Sequence, residues 1–230
     1  MASSLSSKSH WASVKTTLPA HPLPPNSTRA PVTTNRLIIR TFTPNDLHDL
    51  HALRTQPEIM ANNPQGGIDR DLDETRPRMD AFLPPNDETT FNFAICDRET
   101  GDMIGTGGCY GLSSVFGWPV IGYMIRREFW GQGLATEFFQ AWLSMWYRLP
   151  RQEIELDVDP RSLPAADGPV SEQITSWTTA DNIASQRVLE KSGFEHFLTW
   201  TEPDLRNPDV NVELKGYRYL LLNQTLGEVR

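Results

Sequence analysis

Apolar positions first mark a strand and a helix that follow one another near the middle of the chain. Residues 120–125, Val-Ile-Gly-Tyr-Met-Ile, form a short apolar run, which is typical of a buried strand. Gly131 and Gly133 come next. Apolar side chains then recur at helical spacing, at Phe138, Phe139, Trp142, Leu143 and Trp146. The pattern predicts a strand that enters a helix through a turn containing two glycines.

Similar patterns predict the elements before this strand. Residues 36–42 alternate between polar and apolar side chains, as in an opening strand. Thr43 and Pro44 are a favourable cap and first residue for a helix that reaches about Arg54. Three further predictions are a loop over residues 56–68, a helix over about 69–83 and a hairpin of strands 91–96 and 103–108.

The chain after the central helix predicts the end of the same domain. Residues 151–171 are rich in Pro and Gly, so we expect an insertion or flap there. The next strand falls at 173–178, the alternative being 154–158. A helix over 182–192 ends at Gly193, and residues 194–200 and 212–222 close the sheet as an antiparallel pair. The prediction is one α/β (α+β) domain over 35–222, with a mixed, mostly antiparallel central sheet flanked by helices.

The two ends of the chain lack this patterning. Residues 1–34 are rich in Ser, Thr and Pro and contain no Asp or Glu, which predicts a disordered tail. Residues 223–230 are predicted to be a short C-terminal tail. Low acidity and high serine content are also found in mitochondrial transit peptides, but the prolines oppose the amphipathic helix that such peptides form. A cytoplasmic location is therefore expected, with mitochondrial import as the less favoured alternative.

Composition narrows the function classes. The net charge of −8 and the pI near 5.1 argue against a nucleic-acid-binding surface, which needs a basic stripe. No apolar run approaches membrane-spanning length. Cys96 and Cys109 are too few for a disulfide framework, and we expect both to be small buried residues in strands. The five histidines show no paired spacing for a metal site, so no metal is expected.

The glycine turn suits a phosphate group. Glycines let a ligand approach the backbone, and the first amides of a helix have no partner within it and attract anions. A Walker A loop is excluded because Leu134 and Ala135, not Lys and Ser/Thr, follow Gly133. A dinucleotide fingerprint fits Gly131 and Gly133, with Asp157 at a suitable distance, but Thr136 stands at its third glycine.

A third interpretation rests on resemblance. Ile121-Gly122-Tyr123 followed by residues 130–137, Trp-Gly-Gln-Gly-Leu-Ala-Thr-Glu, resembles the acyl-CoA-binding segment of the GNAT N-acetyltransferase superfamily. It is most similar to the branch that includes ribosomal-protein N-acetyltransferases. Residues 182–194 resemble that branch's second signature, Asn-x-x-Ser leading through a helix to Gly-Phe. The resemblance covers about residues 35–222.

The resemblance implies the fold, the cofactor and its contacts. In this superfamily a bulge in the 119–125 strand splays it from the next strand and opens a slot for pantetheine. Asn182 is implied to bind the pantetheine, and Ser185, one helical turn later, is the candidate to protonate the leaving thiolate of acetyl-CoA. Two runs of backbone amides are implied to hold the cofactor: Met124, Ile125 and Arg126 the pantetheine arm, and Gly131, Gln132, Gly133, Leu134, Ala135 and Thr136 the pyrophosphate.

The acceptor and the general base are less defined. Relatives often carry a glutamate just before the Gly-Tyr of the central strand, where this chain has Val120 and Ile121. Glu128, Glu137 and His51 have more ordinary explanations as surface, helix-start or satisfied side chains. Without an obvious base, a primary amine of modest basicity is expected as acceptor, either a small-molecule amine or a peptide N-terminus. A peptide α-amine has a pKa of about 7.7–8.0, so a sizeable fraction of it is already neutral at physiological pH.

The expected function is acetyl-CoA-dependent N-acetyl transfer to a primary amine by direct attack in a ternary complex, without a metal. The alternative is a non-catalytic acyl-CoA-binding module, because the missing base and the insertion at 151–171 are compatible with lost activity. No nucleic-acid or membrane partner is expected, and the protein is expected to be a monomer or a homodimer.

Overall fold

The computed structural model describes residues 10–63, 67–164, 170–204 and 207–221. Within these residues the helices are α1 (Leu47–Arg54), α2 (Pro57–Met60), α3 (Leu72–Asp80), α4 (Leu134–Tyr147) and α5 (Ile183–Lys191). The strands are β1 (Ala12–Pro19), β2 (Val32–Thr33), β3 (Leu37–Arg40), β4 (Phe91–Asp97), β5 (Met103–Gly111), β6 (Val120–Ile125), β7 (Arg151–Val158), β8 (Glu172–Thr179), β9 (Glu195–Asp204) and β10 (Asn207–Leu221).

The strands form two sheets. Eight of them make the main sheet in the order β2-β3-β4-β5-β6-β8-β10-β9, and β1 pairs with β7 in a separate two-stranded sheet. All ladders of the main sheet are antiparallel except the β6–β8 pair, which is parallel. The predicted fold class, a mixed and mostly antiparallel sheet flanked by helices, is confirmed. So are the hairpin of β4 with β5 and the pair of β9 with β10.

Alternation along β4 shows how both faces of the main sheet are covered. Phe93 and Ile95 pack in a buried cluster with side chains of α4 and α5. Ala94 and Cys96 belong to a second cluster with side chains of α1, α2 and α3. Successive side chains of a strand point to opposite faces, so helices pack against both sides of the sheet. Cys109 is also buried, and both thiols are free, as predicted.

The expectation that residues 1–34 form a disordered tail is wrong for residues 10–34. β1 pairs along its whole length with β7, from Ala12 opposite Val158 to Pro19 opposite Arg151. Val14 and Leu18 are buried, because the alternation in β1 turns them toward the domain. The partner strand lies far along the chain, so the Ser- and Thr-rich sequence does not reveal the pairing. Residues 1–9 lie outside the described part.

The segment after β1 is also part of the domain. Leu23 is 1 % exposed and belongs to the main core cluster. The Arg29 guanidinium lies over the rings of Phe91 and Phe93 and donates hydrogen bonds to the carbonyls of Asp87 and Thr90. Burial lowers the pKa of Arg29 to about 10, against the opposing influence of the nearby acidic groups. The N-terminal segment therefore crosses the domain and is fixed by burial.

The predicted insertion at 151–171 is in part a regular strand. β7 occupies residues 151–158, and the turn after it is closed by Asp159, whose side chain accepts a hydrogen bond from the Arg161 amide. Residues 165–169 lie outside the described part. The strand predicted at 173–178 is confirmed as β8 in the main sheet, and the alternative at 154–158 is also a strand, but in the separate sheet.

Several predicted boundaries hold because local chemistry fixes them. A capping box joins Thr43 and Asp46 just before α1, and Asn182 caps α5. Gly193 follows α5 with φ of +88°, the left-handed conformation that a helix C-terminus favours. The helix predicted over about 69–83 is shorter, because Asp71 is its N-cap and Asp80 its last residue. The predicted tail at 223–230 lies outside the described residues.

Candidate active site

The central feature of the site is a gap between two neighbouring strands. β6 and β8 pair at Val120 opposite Thr175, and the Thr175 amide donates to the Pro119 carbonyl at 2.8 Å. Among the described residues their ladder does not continue beyond this point, although both strands do. The strands diverge toward their C-terminal ends and leave a slot. The register irregularity recorded beside it lies in β5, between Cys109 and Gly111, and not in the implied position within β6.

The backbone of β6 offers its amides alternately to β5 and to the slot. The Arg126 amide donates to the Ile104 carbonyl at 2.8 Å, so it is already bonded. In an antiparallel pair alternate residues face the partner, so the Met124 amide turns to β5 and that of Ile125 turns to the slot. The Ile125 carbonyl, on the slot side, accepts a hydrogen bond from Trp130 Nε1 at 2.6 Å. Of the three amides that the resemblance implied, only that of Ile125 faces the slot.

The glycine turn follows where β6 ends. Gly131 and Gly133 have φ of +74° and +78°, conformations that favour glycine. A Cβ on Gly131 would meet nothing within 4 Å, so the turn is open to a ligand. Gly133 caps α4 without a side-chain hydrogen bond, and the Glu137 amide is bonded to its carbonyl. The earlier amides of Leu134, Ala135 and Thr136 thus lie at a free helix N-terminus, as the sequence predicted for a pyrophosphate site.

Ion pairs hold the turn in place. Arg36 contacts the Glu137 carboxylate and also donates from Nη1 to the Gln132 carbonyl at 2.7 Å. Burial acts to raise the pKa of Glu137, but hydrogen bonds from Thr34 and Arg36 outweigh it and the net pKa is lowered. On the other side, Gln56 accepts a hydrogen bond from the Arg127 amide. The turn is therefore fixed from both sides while its glycines stay exposed.

Helix α5 brings the second signature to the far side of the slot. Asn182 Oδ1 accepts a hydrogen bond from the Ser185 amide at 3.1 Å, so Asn182 is an N-cap. Burial raises the pKa of the Tyr123 hydroxyl of β6, and the nearby Ser185 side chain opposes this. The Tyr123 ring packs against Phe139.

A cavity of about 40 Å³ lies at the C-terminal end of β8. The segment after α2, the end of β8 and the β9–β10 hairpin enclose it. Trp177 and Leu214 are among its apolar lining residues, and Glu202 and Asp204 supply carboxylates. Asn63, which also lines it, donates to the Met124 sulfur at 3.5 Å. This contact places the cavity beside the strand that borders the slot.

The segment between α1 and α3 is anchored by a buried ion pair. Arg54 and Asp69 form two hydrogen bonds, of 2.6 and 2.9 Å, and their side chains are 5 % and 7 % exposed. Thr75 donates to the same Asp69 carboxylate, and His51 Nδ1 is 2.8 Å from the Thr75 hydroxyl. Arg54 ends α1 and Asp69 precedes α3, so the pair fixes both ends of the segment that borders the cavity.

The acidic residues near the cavity were missed in the sequence. Glu137 bonds to Arg36, Glu128 accepts from Gln56, and His51 bonds to Thr75, in line with the ordinary roles expected for them. Glu202 and Asp204 lie in β9, which pairs with β10. This pairing places both residues beside the end of β8, where they line the cavity. Two acidic residues alternating in a late strand carry no local motif, so only the folded arrangement identifies them.

The described residues contain no group of three or more His, Cys, Asp or Glu side chains that could hold a metal ion. None of the described helices is long and apolar enough to cross a membrane.

Comparison with known proteins identifies the family of the domain. The family described as an acetyltransferase (GNAT) domain matches residues 36–195. No curated protein matches the chain significantly by sequence. Solved structures do match in fold, among them a GNAT-family acetyltransferase from Bacillus anthracis, with a TM-score of 0.61, 18% identity and coverage of 83% of this chain and 98% of that one.

Two other matching structures have more specific names. Ribosomal-protein-S5-alanine acetyltransferase from Vibrio fischeri has a TM-score of 0.61 and 12% identity, over 84% of this chain and 97% of that one. Spermidine N-acetyltransferase from Vibrio cholerae, in complex with CoA and spermine, has a TM-score of 0.61 and 16% identity, over 81% and 96%. At these identities the likeness concerns the fold alone.

Proposed function

Because the chain belongs to the GNAT acetyltransferase family, we propose that it transfers an acetyl group from acetyl-CoA to a primary amine. The observation that carries the proposal is the arrangement of the slot. It runs between the diverging strands β6 and β8, ends at the open turn of Gly131 and Gly133, and has Asn182 and Ser185 on its far side. A long cofactor with a thioester at one end and phosphates at the other requires a slot for its arm, an anion site for its phosphates and polar groups near its thioester, and these three features supply them.

Each part of acetyl-CoA has its own set of groups in this proposal. The pyrophosphate binds the amides from Gly131 to Thr136, where the helix dipole favours negative charge. The pantetheine arm lies in the slot and accepts from the Ile125 amide. Asn182 uses Oδ1 to cap α5, which leaves its Nδ2 group to donate to the arm.

The reaction is a direct attack within a ternary complex. The neutral amine nitrogen attacks the thioester carbonyl carbon, the new C–N bond forms and the C–S bond breaks. The amine nitrogen loses a proton to water, and the departing thiolate of CoA takes one up. We assign the donation of that proton to Ser185, which lies near the Tyr123 hydroxyl of β6. A thiol pKa near 8.5 makes this demand modest.

The names of the structural neighbours do not select the acceptor. One neighbour is named for an alanine of a ribosomal protein and another for spermidine, so the same fold accommodates a peptide or a small amine in those proteins. The choice for this chain, a small-molecule amine or a peptide N-terminus, depends on the side chains around its own cavity.

The test is turnover of acetyl-CoA with a panel of amines, measured as thiol release and by mass spectrometry of the products. The panel pairs peptides with free and blocked N-termini and adds small aliphatic amines. Acetylation of one class supports the proposal. Tight binding of acetyl-CoA with no acetylation of any amine would instead support the alternative, a non-catalytic acyl-CoA-binding module. Preferential binding of NAD would overturn both.

A further inference from the structure

Trp130 lies between the two parts of the proposed cofactor site. It follows β6, which borders the slot, and directly precedes Gly131 of the open turn. Its side chain is 43 % exposed, although tryptophan is on average largely buried. The Arg127 guanidinium carbon lies over the ring, 5.7 Å from its centre. The indole is therefore held at the surface, at the junction of the slot and the turn.

The indole nitrogen is bonded to the edge of the slot. Trp130 Nε1 donates to the Ile125 carbonyl at 2.6 Å. Ile125 lies opposite Gly105 in the ladder with β5, next to the bonded pair of Arg126 and Ile104. Since bonded and non-bonded pairs alternate in an antiparallel ladder, the amide and the carbonyl of Ile125 both turn away from β5. Trp130 thus occupies the carbonyl and leaves the amide to the slot.

This hydrogen bond changes what the slot edge offers to a ligand. An open strand edge presents both donors and acceptors, so a chain that contains amide groups can pair with it in more than one register. At Ile125 the acceptor is already used, and the edge presents a donor. An amide carbonyl of a ligand can bond there directly, whereas an amide N–H would have to share the Ile125 carbonyl with Trp130.

Resting on the proposed binding of acetyl-CoA, we infer that Trp130 is a positioning residue for the pantetheine arm. The arm contains amide groups, each with a carbonyl and an N–H. With the Ile125 carbonyl capped, the arm binds with an amide carbonyl opposite the Ile125 amide. This contact fixes the register of the arm along the slot, and with it the place of the thioester near Ser185. Trp130 acts through Ile125, by deciding which of its two polar groups the arm meets.

The turn that receives the pyrophosphate is held by other contacts. Arg36 Nη1 donates to the Gln132 carbonyl at 2.7 Å, and Gln56 Oε1 accepts from the Arg127 amide at 2.8 Å. Neither contact involves the indole of Trp130. Removal of the indole N–H should therefore act on the pantetheine arm and leave the pyrophosphate site as it is.

The experiment compares CoA with 3′-phospho-ADP, the part of CoA that lacks the pantetheine arm. Trp130→Phe keeps an aromatic ring and removes the N–H. Calorimetry should show CoA binding weakened by about threefold to tenfold, the usual value of one hydrogen bond, because the slot edge is no longer preorganised. The affinity for 3′-phospho-ADP should be unchanged. Trp142→Phe is the matched control, because Trp142 Nε1 also donates to a strand carbonyl, that of Phe91, but in the core. It should keep the affinities of the parent for both ligands.

The outcomes separate this inference from the proposed function. Equal weakening of both ligands in Trp130→Phe would show that the tryptophan only orders the turn, and an unchanged CoA affinity would show that the bond does not position the arm. Tighter CoA binding by the variant would show that Trp130 blocks the slot. Each of these results overturns the inference and leaves the proposed function standing. If the parent protein does not bind CoA, both are overturned.

Discussion

An ion pair between Arg36, just before β3, and Glu137, in the first turn of α4, joins these two elements. Arg36 Nη2 and Glu137 Oε2 are 2.7 Å apart, and Arg36 Nε donates to the same oxygen at 2.8 Å. Through Nη1, Arg36 also holds the Gln132 carbonyl between the two glycines of the turn. The pair thus orders the loop that is proposed to receive the pyrophosphate, although Arg36 was not singled out in the sequence.

Removing the guanidinium should loosen this loop. We expect Arg36→Ala to weaken CoA binding by about fivefold to tenfold, because the conformational entropy of the loop is then lost on binding. Calorimetry with CoA measures the change. Arg148→Ala, an exposed arginine at the opposite end of α4, is the control and should leave the affinity unchanged. Equal affinities in the two variants would show that Arg36 does not order the turn.

The Glu137 carboxylate should make stability depend on pH. Its pKa in the folded protein is lowered from 4.5, so the group contributes stability that is fully present above about pH 4.5. That contribution is lost as the pH falls through the folded-state pKa. Glu137→Gln should therefore lower the free energy of unfolding at pH 7, and the difference from the parent should shrink below pH 4. Urea denaturation at several pH values tests this, and a difference that persists at low pH would contradict it.

The open turn should reject an added carboxylate. Gly133→Glu places a side chain and a negative charge where phosphates are proposed to bind, so CoA affinity should be lost. Gly101→Glu is a close control, because Gly101 has φ of +81° and open space around it, but lies in the β4–β5 turn. Both variants carry similar backbone strain. If CoA binds a folded Gly133→Glu protein as tightly as it binds Gly101→Glu, the pyrophosphate is held elsewhere.

Ser185→Ala should slow turnover more than it weakens cofactor binding. A group that protonates the thiolate acts as the C–S bond breaks, so its loss should lower kcat on the order of tenfold to a hundredfold. The CoA affinity should stay near that of the parent. Ser144→Ala, an exposed serine of α4, is the control. Unchanged kcat in Ser185→Ala would reduce the serine to a packing or capping role.

The N-terminal segment should be needed for stability. Leu23→Ala should lower the free energy of unfolding by about 2–5 kcal/mol, because it leaves a cavity in the main core. Lys15→Ala, an exposed side chain on β1, should change it little. Deletion of residues 1–34 should destabilise the protein further, because it removes β1 and Arg29. Urea denaturation of all three measures this, and an unaltered transition in the deletion variant would show that the segment is dispensable.

The local signals in the sequence identified most of the core elements. The cap at Thr43, the two glycines before α4, and Gly193 at the end of α5 each depend on neighbouring residues, so their chemistry can be read along the chain. The alternation of β4 and β5 likewise fixed their hairpin. These short-range patterns also placed Gly131, Gly133, Asn182 and Ser185 on the elements where the structure has them.

Other features depend on residues that are far apart in the chain, and no local pattern contains them. β1, in the expected tail, and β7, in the expected insertion, form a sheet with each other. Each strand is stabilised only by the other and by the core, so neither is evident from its own sequence. The direction of the β6 amides follows from its ladder with β5. The Arg126 amide is bonded to β5, so the Ile125 amide is the one that faces the slot. Glu202 and Trp177 line the same cavity because the β9–β10 hairpin brings them together. The sequence by itself determined the family, the fold class and the motifs. The tertiary structure decided which backbone amides face the slot and which carboxylates line the cavity, because both depend on the pairing of strands that are far apart in the chain.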